Sequence, residues 1–261
     1  MEAKLVNTPL FDLSGRTALI TGGGSGLGRD IAEAFAEYGA NIAVCSRKLA
    51  NCEETVDYLT KNYSIRAKAY ECDVSNEKMV NETVNTVIED FGHIDILVNN
   101  SGATWGEKVE NMPLEAWQKV IDVNVTGTFL MSKAVGTQMI SNGYGKIINI
   151  GSVAGLKAEP GKVLNAIGYS TSKAAVHHFT RDLAKKWGEY GITVNVIAPG
   201  FFATKMTKHV LEKNSDAIIS ANPMKKIGDT TSLKGTALFL ATRASDYVTG
   251  QVIAVDGGSS L

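Results

Sequence analysis

Tyr169 and Lys173 stand four residues apart in Tyr-Ser-Thr-Ser-Lys, with Ser152 upstream on Gly-Ser-Val-Ala-Gly and a glycine-rich Thr21–Gly28 far earlier. On a helix that spacing puts phenol and ammonium on one face, and a nearby fixed cation favours phenolate over phenol. The pair reads as a proton-transfer couple usable near neutral pH. A serine hydroxyl brought to the same place would hydrogen-bond a carbonyl or alcohol oxygen.

Such a couple needs a scaffold, and the hydrophobic pattern supplies one. Short apolar runs at Thr17–Ile20, Asn41–Cys45, Ala67–Cys72, Ile94–Asn99, Lys146–Ile150, Thr193–Ile197 and Val252–Val255 predict seven strands. They show little alternation, as in parallel strands covered on both faces. Helical spacing predicts helices between them, for example Gly26–Tyr38 through Ile31, Phe35 and Tyr38, and Lys78–Phe91 through Val80, Val84, Val87, Ile88 and Phe91. Gly39, Gly92 and Gly191 fall where helices should stop. The repeated strand–helix order predicts an α/β fold, a Rossmann-type doubly wound parallel sheet with its ligand crevice at the carboxyl ends of the strands. No linker, repeat or low-complexity segment divides the chain, so residues 1–261 are read as a single domain.

Composition narrows the class. The 261 residues carry 26 basic and 27 acidic side chains, a net charge of −1, with neither sign in a long block, so no nucleic-acid partner is expected. Cys45, Cys52 and Cys72 are odd in number and lack metal-ligand spacing, which suits reduced packing thiols. His93 and His209 have no carboxylate or cysteine partners at metal spacing, and no metal site is expected. His177 and His178 are read as packing or interface residues. Met-Glu-Ala-Lys-Leu-Val-Asn contains no apolar targeting core, and no apolar stretch approaches the roughly 20 residues of a membrane span. The expected location is the cytoplasm, with no membrane partner.

The glycine-rich stretch follows the first predicted strand and opens the first predicted helix. There Gly22, Ser25, Gly26, Leu27 and Gly28 would let backbone amides cradle a pyrophosphate at a helix amino terminus. Three residues separate Gly22 from Gly26, where the commonest dinucleotide fingerprint has one. At the end of the second strand, Val44-Cys45-Ser46-Arg47-Lys48, no acid occurs until Glu53. A carboxylate there would bond a ribose 2′-hydroxyl, whereas Arg47 can fork onto a 2′-phosphate with Ser46 donating beside it. NADP(H) is therefore the expected cofactor; the other reading makes Arg47 a solvated charge stacked on adenine.

Thr21–Gly28, Cys72-Asp73-Val74, Ile94–Gly102, Asn124, Ser152, Tyr169 with Lys173, Pro199-Gly200 and Val255–Gly258 occur in one order along the chain. In that set the chain resembles the short-chain dehydrogenase/reductase family over essentially its whole length. The resemblance implies an oxidoreductase acting on a ketone or secondary alcohol, with Ser152, Tyr169, Lys173 and Asn124 catalytic. Asp73 would meet the adenine amino group beside the Val74 backbone, and Asn100 and Gly102 would line the nucleotide cleft. Lys173 would also hold the nicotinamide ribose next to Tyr169. Asn124 would hold a water relaying protons. Pro199, Gly200, the Phe202 backbone and Thr204 would flank the carboxamide. Plainer readings stand beside these: Asp73 caps a helix beginning near Asn76, Asn100 forms a turn, and Asn124 satisfies a local carbonyl.

Two departures matter. Ser101 stands where the family usually has Ala, and Ser152 is seventeen positions from Tyr169, longer than the usual interval. The extra residues lie within Leu156–Ile167, where Lys157, Lys162 and Asn165 could meet a polar or anionic substrate, or form a solvated detour. The stretches Asn149–Gly155 and Thr193–Gly200 are most similar to 3-oxoacyl thioester reductases, the rhamnolipid type included, with gluconate 5-dehydrogenases close behind. Residues 203–226 are expected to form a variable substrate lid. Its Met206, Val210, Leu211, Ile218, Ile219 and Met224 suit an acyl chain, and its Lys205, Lys208, Lys213, Lys225 and Lys226 suit an anion. A reading of another class, a non-catalytic dinucleotide-binding redox sensor, gives no reason to keep Ser152, Tyr169 and Lys173 together. The resemblance also implies a homotetramer, with Val248–Val255 at one interface.

Overall fold

The computed structural model describes residues 10–161, 163–204 and 207–261, the side chains of Lys208, His209 and Lys213 excepted. Lys162, Lys205, Met206 and the Met1–Asn7 stretch therefore lie outside the described residues, as do those three side chains.

In chain order the elements are β1 (Thr17–Thr21), α1 (Gly26–Glu37), β2 (Asn41–Ser46), α2 (Leu49–Asn62), β3 (Ala67–Glu71), α3 (Glu77–Phe91) and β4 (Ile96–Asn99). They continue as α4 (Leu114–Ile121), α5 (Gly127–Asn142), β5 (Gly145–Ile150), α6 (Ile167–Trp187), β6 (Ile192–Pro199), α7 (Lys208–Ala221), α8 (Lys234–Ala241) and β7 (Val252–Val255). The seven strands form one sheet in the order β3-β2-β1-β4-β5-β6-β7, every neighbouring pair parallel. Each run read as a strand is one, within a residue or two at its ends.

Successive strand residues point to opposite faces, and both faces are dry. Ala18, Ile20, Ile42, Val44 and Ile148 pack with Ile31 and Phe35 of α1, Leu59 of α2 and Ala237 of α8. Leu19, Ala43, Leu97, Ile147 and Val194 face the other way, onto Val80, Val84 and Val87 of α3 and Met131, Val135 and Met139 of α5. β3 departs from the apolar pattern: Ala-Lys-Ala-Tyr-Glu is only partly covered because it is the sheet edge.

Strand order reverses between β1 and β4, so the loops that follow them splay apart and open a crevice at their carboxyl ends. Gly92 ends α3 at φ 87°, a conformation that costs glycine little. The α4–α5 pair is one continuous helix interrupted by a π turn at Asp122–Thr126. At the opposite, amino-terminal end of the sheet Asp95 accepts from Arg16 (2.8 Å) and the Thr17 amide (2.8 Å). His93 Nε2 lies 3.0 Å from the same carboxylate, brought close by the turn into β4. That cluster clasps strand ends.

Candidate active site

A cavity of about 960 Å³ occupies the crevice. Its lining includes Gly22, Ser25, Gly26, Leu27, Ser46, Arg47, Asp73, Val74, Asn100, Gly102, Ser152, Tyr169, Lys173, Pro199, Gly200, Phe202 and Thr204. Of the residues assigned from sequence to catalysis or cofactor binding, Gly28 and Asn124 alone are absent from this wall, and both shape it.

The glycine loop is packed to the limit a backbone allows. A Cβ on Gly28 would stand 2.5 Å from the Gly22 carbonyl oxygen, and one on Gly22 would stand 2.9 Å from Asn100 Nδ2. Asn100 explains why: its amide donates to the carbonyls of Thr21 (2.9 Å) and Gly22 (3.2 Å), tying the loop after β1 to the end of β4. Thr21 completes the clasp, its Oγ1 accepting from the Asn100 (3.0 Å) and Ser101 (2.9 Å) amides. This role of Thr21 has no signal in the sequence beyond its place before the glycines. A backbone floor with no Cβ above it, at the amino terminus of α1, fits a pyrophosphate.

At the far end, exposed Arg47 stands beside Asp73. Burial raises the Asp73 carboxyl, yet hydrogen bonds from Ser75 and the charge of Arg47 leave it below its ordinary value. Asp73 does not cap α3; Asn76 does, accepting from the Met79 amide at 3.2 Å. Asp73 holds the Ser75 amide (3.0 Å) and hydroxyl (2.6 Å) instead, an Asx turn that keeps its carboxylate at the cavity wall. The Ser46 hydroxyl donates to the Lys48 carbonyl (3.0 Å) and accepts from Cys52 (3.2 Å). Its proton is thus directed into its own turn, unlike the donor role expected of it.

At the other end Ser152, Tyr169 and Lys173 converge. Ser152 starts the turn after β5, and Tyr169 and Lys173 lie one turn apart on α6. Lys173 Nζ donates to the Ile150 carbonyl at 2.6 Å and sits 5.6 Å from the centroid of the Tyr169 ring. Burial alone pushes its ammonium down to about 8. The Tyr169 phenol goes up, chiefly through burial, with Ser152 acting the other way. The sequence reading, a phenol depressed by its lysine, is not what burial produces here: desolvation sets the opposite direction, and the lysine is itself buried and turned to a backbone carbonyl.

Asn124 projects from the π turn with a full complement of partners. Its Oδ1 accepts from the Ala103 amide (2.7 Å), and its Nδ2 donates to the Ala103 carbonyl (2.9 Å) and Ser172 Oγ (2.8 Å). It joins the loop after β4 to α6 behind Lys173, more than satisfying a local carbonyl.

The mouth corrects another expectation. Lys157 pairs with Glu159 at 3.0 Å and donates to the Ser259 carbonyl, so it is held between its own loop and the segment after β7. Neither it nor Asn165 lines the cavity. The Asn165 backbone carbonyl accepts from the Glu107 amide (2.9 Å), and Ala166 bridges Glu107, which stitches the lengthened loop to the segment opposite. Thr207, Leu211 and Glu212 complete the wall from the α7 side. Among the described residues, no group of three His, Cys, Asp or Glu is placed to hold a metal, and no helix is long and apolar enough to cross a membrane.

A doubly wound sheet with a glycine-lined cleft at its switch point and a Ser-Tyr-Lys set at one end of that cleft defines a dinucleotide-dependent oxidoreductase. A family model described as enoyl-(acyl carrier protein) reductase matches residues 22–260. The chain belongs to the short-chain dehydrogenase/reductase family. It is 39% identical over 95% of its length to a 2-dehydro-3-deoxy-D-gluconate 5-dehydrogenase of Bacillus subtilis, covering 96% of that protein. It is likewise 39% identical over 94% of its length to a 3-oxoacyl-[acyl-carrier-protein] reductase of Synechocystis, covering 97% of it. A solved gluconate 5-dehydrogenase from Burkholderia cenocepacia, in complex with NADP and tartrate, superposes with a TM-score of 0.90 at 33% identity, over 97% of this chain and 98% of that one.

Proposed function

We propose that this enzyme is an NADP(H)-dependent reductase of 3-oxoacyl thioesters. One observation carries the reading: a single cleft with Arg47 at one end and Ser152, Tyr169 and Lys173 at the other, its mouth lined by Phe202 and Leu211. NADPH bound along the glycine loop supplies hydride for converting the ketone to a secondary alcohol. Arg47 would take the 2′-phosphate, and Asp73 with the Val74 backbone the adenine. Gly102, Pro199, Gly200, Phe202 and Thr204 would enclose the nicotinamide end. Ser152 holds the carbonyl oxygen, Tyr169 gives it a proton, Lys173 holds the ribose, and Asn124 fixes the loop and helix that frame them. Residues 203–226 act as the substrate lid, supported by the places of Thr204, Thr207, Leu211 and Glu212 on the cavity wall. We further read the chain as one catalytic domain, 1–261, in a cytoplasmic homotetramer. That reading is supported by the single sheet, by Phe129 exposed on α5 and by the partly uncovered β7.

The gluconate-type relatives favour a second reading, a sugar-acid dehydrogenase. The engagement of Lys157 with Glu159 leaves that side chain poorly placed to receive a carboxylate, which supports the acyl substrate. Initial rates of NADPH oxidation with acetoacetyl thioester and with 5-keto-gluconate separate the two. The thioester is expected to turn over at least tenfold faster by kcat/KM, about 1.4 kcal/mol of transition-state preference. Faster turnover of the keto acid would overturn the proposal in favour of the second reading.

Cofactor choice has its own test. R47A should raise the KM for NADPH about tenfold or more, the loss of a charge-assisted contact to phosphate, and leave that for NADH within about twofold. Equal effects on both would make Arg47 an adenine stack.

A further inference from the structure

We infer that His177 is a positioning residue for Ser152: its imidazole, carried on α6, accepts the Ser152 amide N–H and fixes the turn that aims the Ser152 hydroxyl into the cleft. The inference rests on the proposed role of Ser152 in holding the substrate oxygen.

β5 ends at Ile150, and the ladder to β6 closes with the Gly151 amide on the Ile197 carbonyl (2.8 Å). The next amide, that of Ser152, has no strand partner; it donates to His177 Nε2 at 3.4 Å. Ser152 and His177 are both buried, 8% and 3% exposed, so without the imidazole this donor would be buried and unpaired. The glycines around the serine show that the ring is built into the turn. A Cβ on Gly151 would stand 2.3 Å from His177 Nε2, and one on Gly155 would stand 2.8 Å from its Cε1. Gly-Ser-Val-Ala-Gly therefore leaves a slot of the ring's size on either side of Ser152.

Helix spacing makes the grip a continuous one. Lys173 takes the Ile150 carbonyl, and His177, one turn on, takes the Ser152 amide, so α6 holds the end of β5 and the turn after it together. The ring must stay neutral to keep a lone pair for that amide. Burial does this first, then the charges of Lys173 and Arg181 one turn to either side, and together they push the imidazole down to about 4. The Gly155 backbone acts the other way, favouring the protonated ring, but less strongly. His177 is absent from the cavity wall, so it acts through Ser152 and not on the substrate.

The test is a double-mutant cycle between residues 177 and 152, followed by kcat, NADPH affinity and amide hydrogen exchange at Ser152. H177L, close in size and without an acceptor, should lower kcat about tenfold in an otherwise native enzyme, with NADPH affinity unchanged and faster exchange at the Ser152 amide. H177Q, whose amide oxygen reaches as far as Nε2, should restore most of the rate. In an S152A background, H177L should cost nothing further. An equal loss from H177L in both backgrounds, or an H177Q as impaired as H177L, would overturn the inference and leave His177 a packing residue. Full activity of S152A alone would instead overturn the role given to the serine. If H177L does not fold, H177N takes its place, its shorter amide falling short of the Ser152 N–H, with the same expected and contrary results.

Discussion

Y169F lowers kcat for ketone reduction by about a thousandfold, the usual worth of a positioned general acid, while NADPH affinity stays within about twofold. The ring remains, so α6 keeps its packing; only the phenolic proton goes. Burial raises the Tyr169 phenol above its ordinary value, so near neutral pH the group is a phenol, the form reduction consumes. The sign of the pH dependence follows. Reduction holds at neutral pH and falls as pH rises through the raised phenol value, whereas alcohol oxidation, which needs phenolate, climbs over the same range. Single-turnover kinetics with a fluorescence titration of NADPH check both halves. Turnover within tenfold of the native enzyme would show that the proton comes from elsewhere.

K173M should abolish useful turnover and yet make the folded protein more stable. Burial brings the ammonium from 10.5 to about 8. A displacement of that size is on the order of 3 kcal/mol. Because the folded value lies below the unfolded one, the cost is full below pH 8, shrinks as pH rises toward 10.5 and is gone above it. Methionine removes the buried charge, keeps the stem and gives up the charge-assisted bond to the Ile150 carbonyl, worth about 2 kcal/mol. The net gain at pH 7 is about 1 kcal/mol, or about 3 °C in melting temperature. Calorimetry at pH 7 and again near pH 10.5 measures it, and the gain should vanish at the higher pH. A fall in melting temperature at pH 7 would mean that the carbonyl contact outweighs the buried charge. Kept as it is, Lys173 is stability given up for a cation beside the reacting proton.

Local pattern makes much of this visible in the sequence itself. Strands of a two-sided sheet must be apolar along their length, so β1, β2, β4, β5 and β6 are visible as runs, and a tyrosine and lysine at one-turn spacing must share a face. What could not be read is what depends on contacts between distant residues. The partner of His177 lies 25 residues away, and its only trace is that Gly151 and Gly155 lack side chains. The Lys157 side chain has the character of an anion receptor, yet Glu159 and the Ser259 carbonyl, 102 residues away, already occupy it. The direction in which burial moves Tyr169 depends on how deep the pocket is, which spacing does not encode.

The π turn at Asp122–Thr126 carries a final consequence. One residue more than a regular turn advances everything beyond it by about 100° around the helix axis. The widened turn takes up that residue between the buried stripe of α4, with Val120, and that of α5, with Met131 and Val135, and Asn124 sits where the two stripes join. This stretch is bound by its length more than by its letters. Side chains along it can change type and keep their direction, but the loss of a single residue within the turn would close it to a regular α turn and take the Asn124 amide off the Ala103 backbone, while α5 kept its place against the sheet.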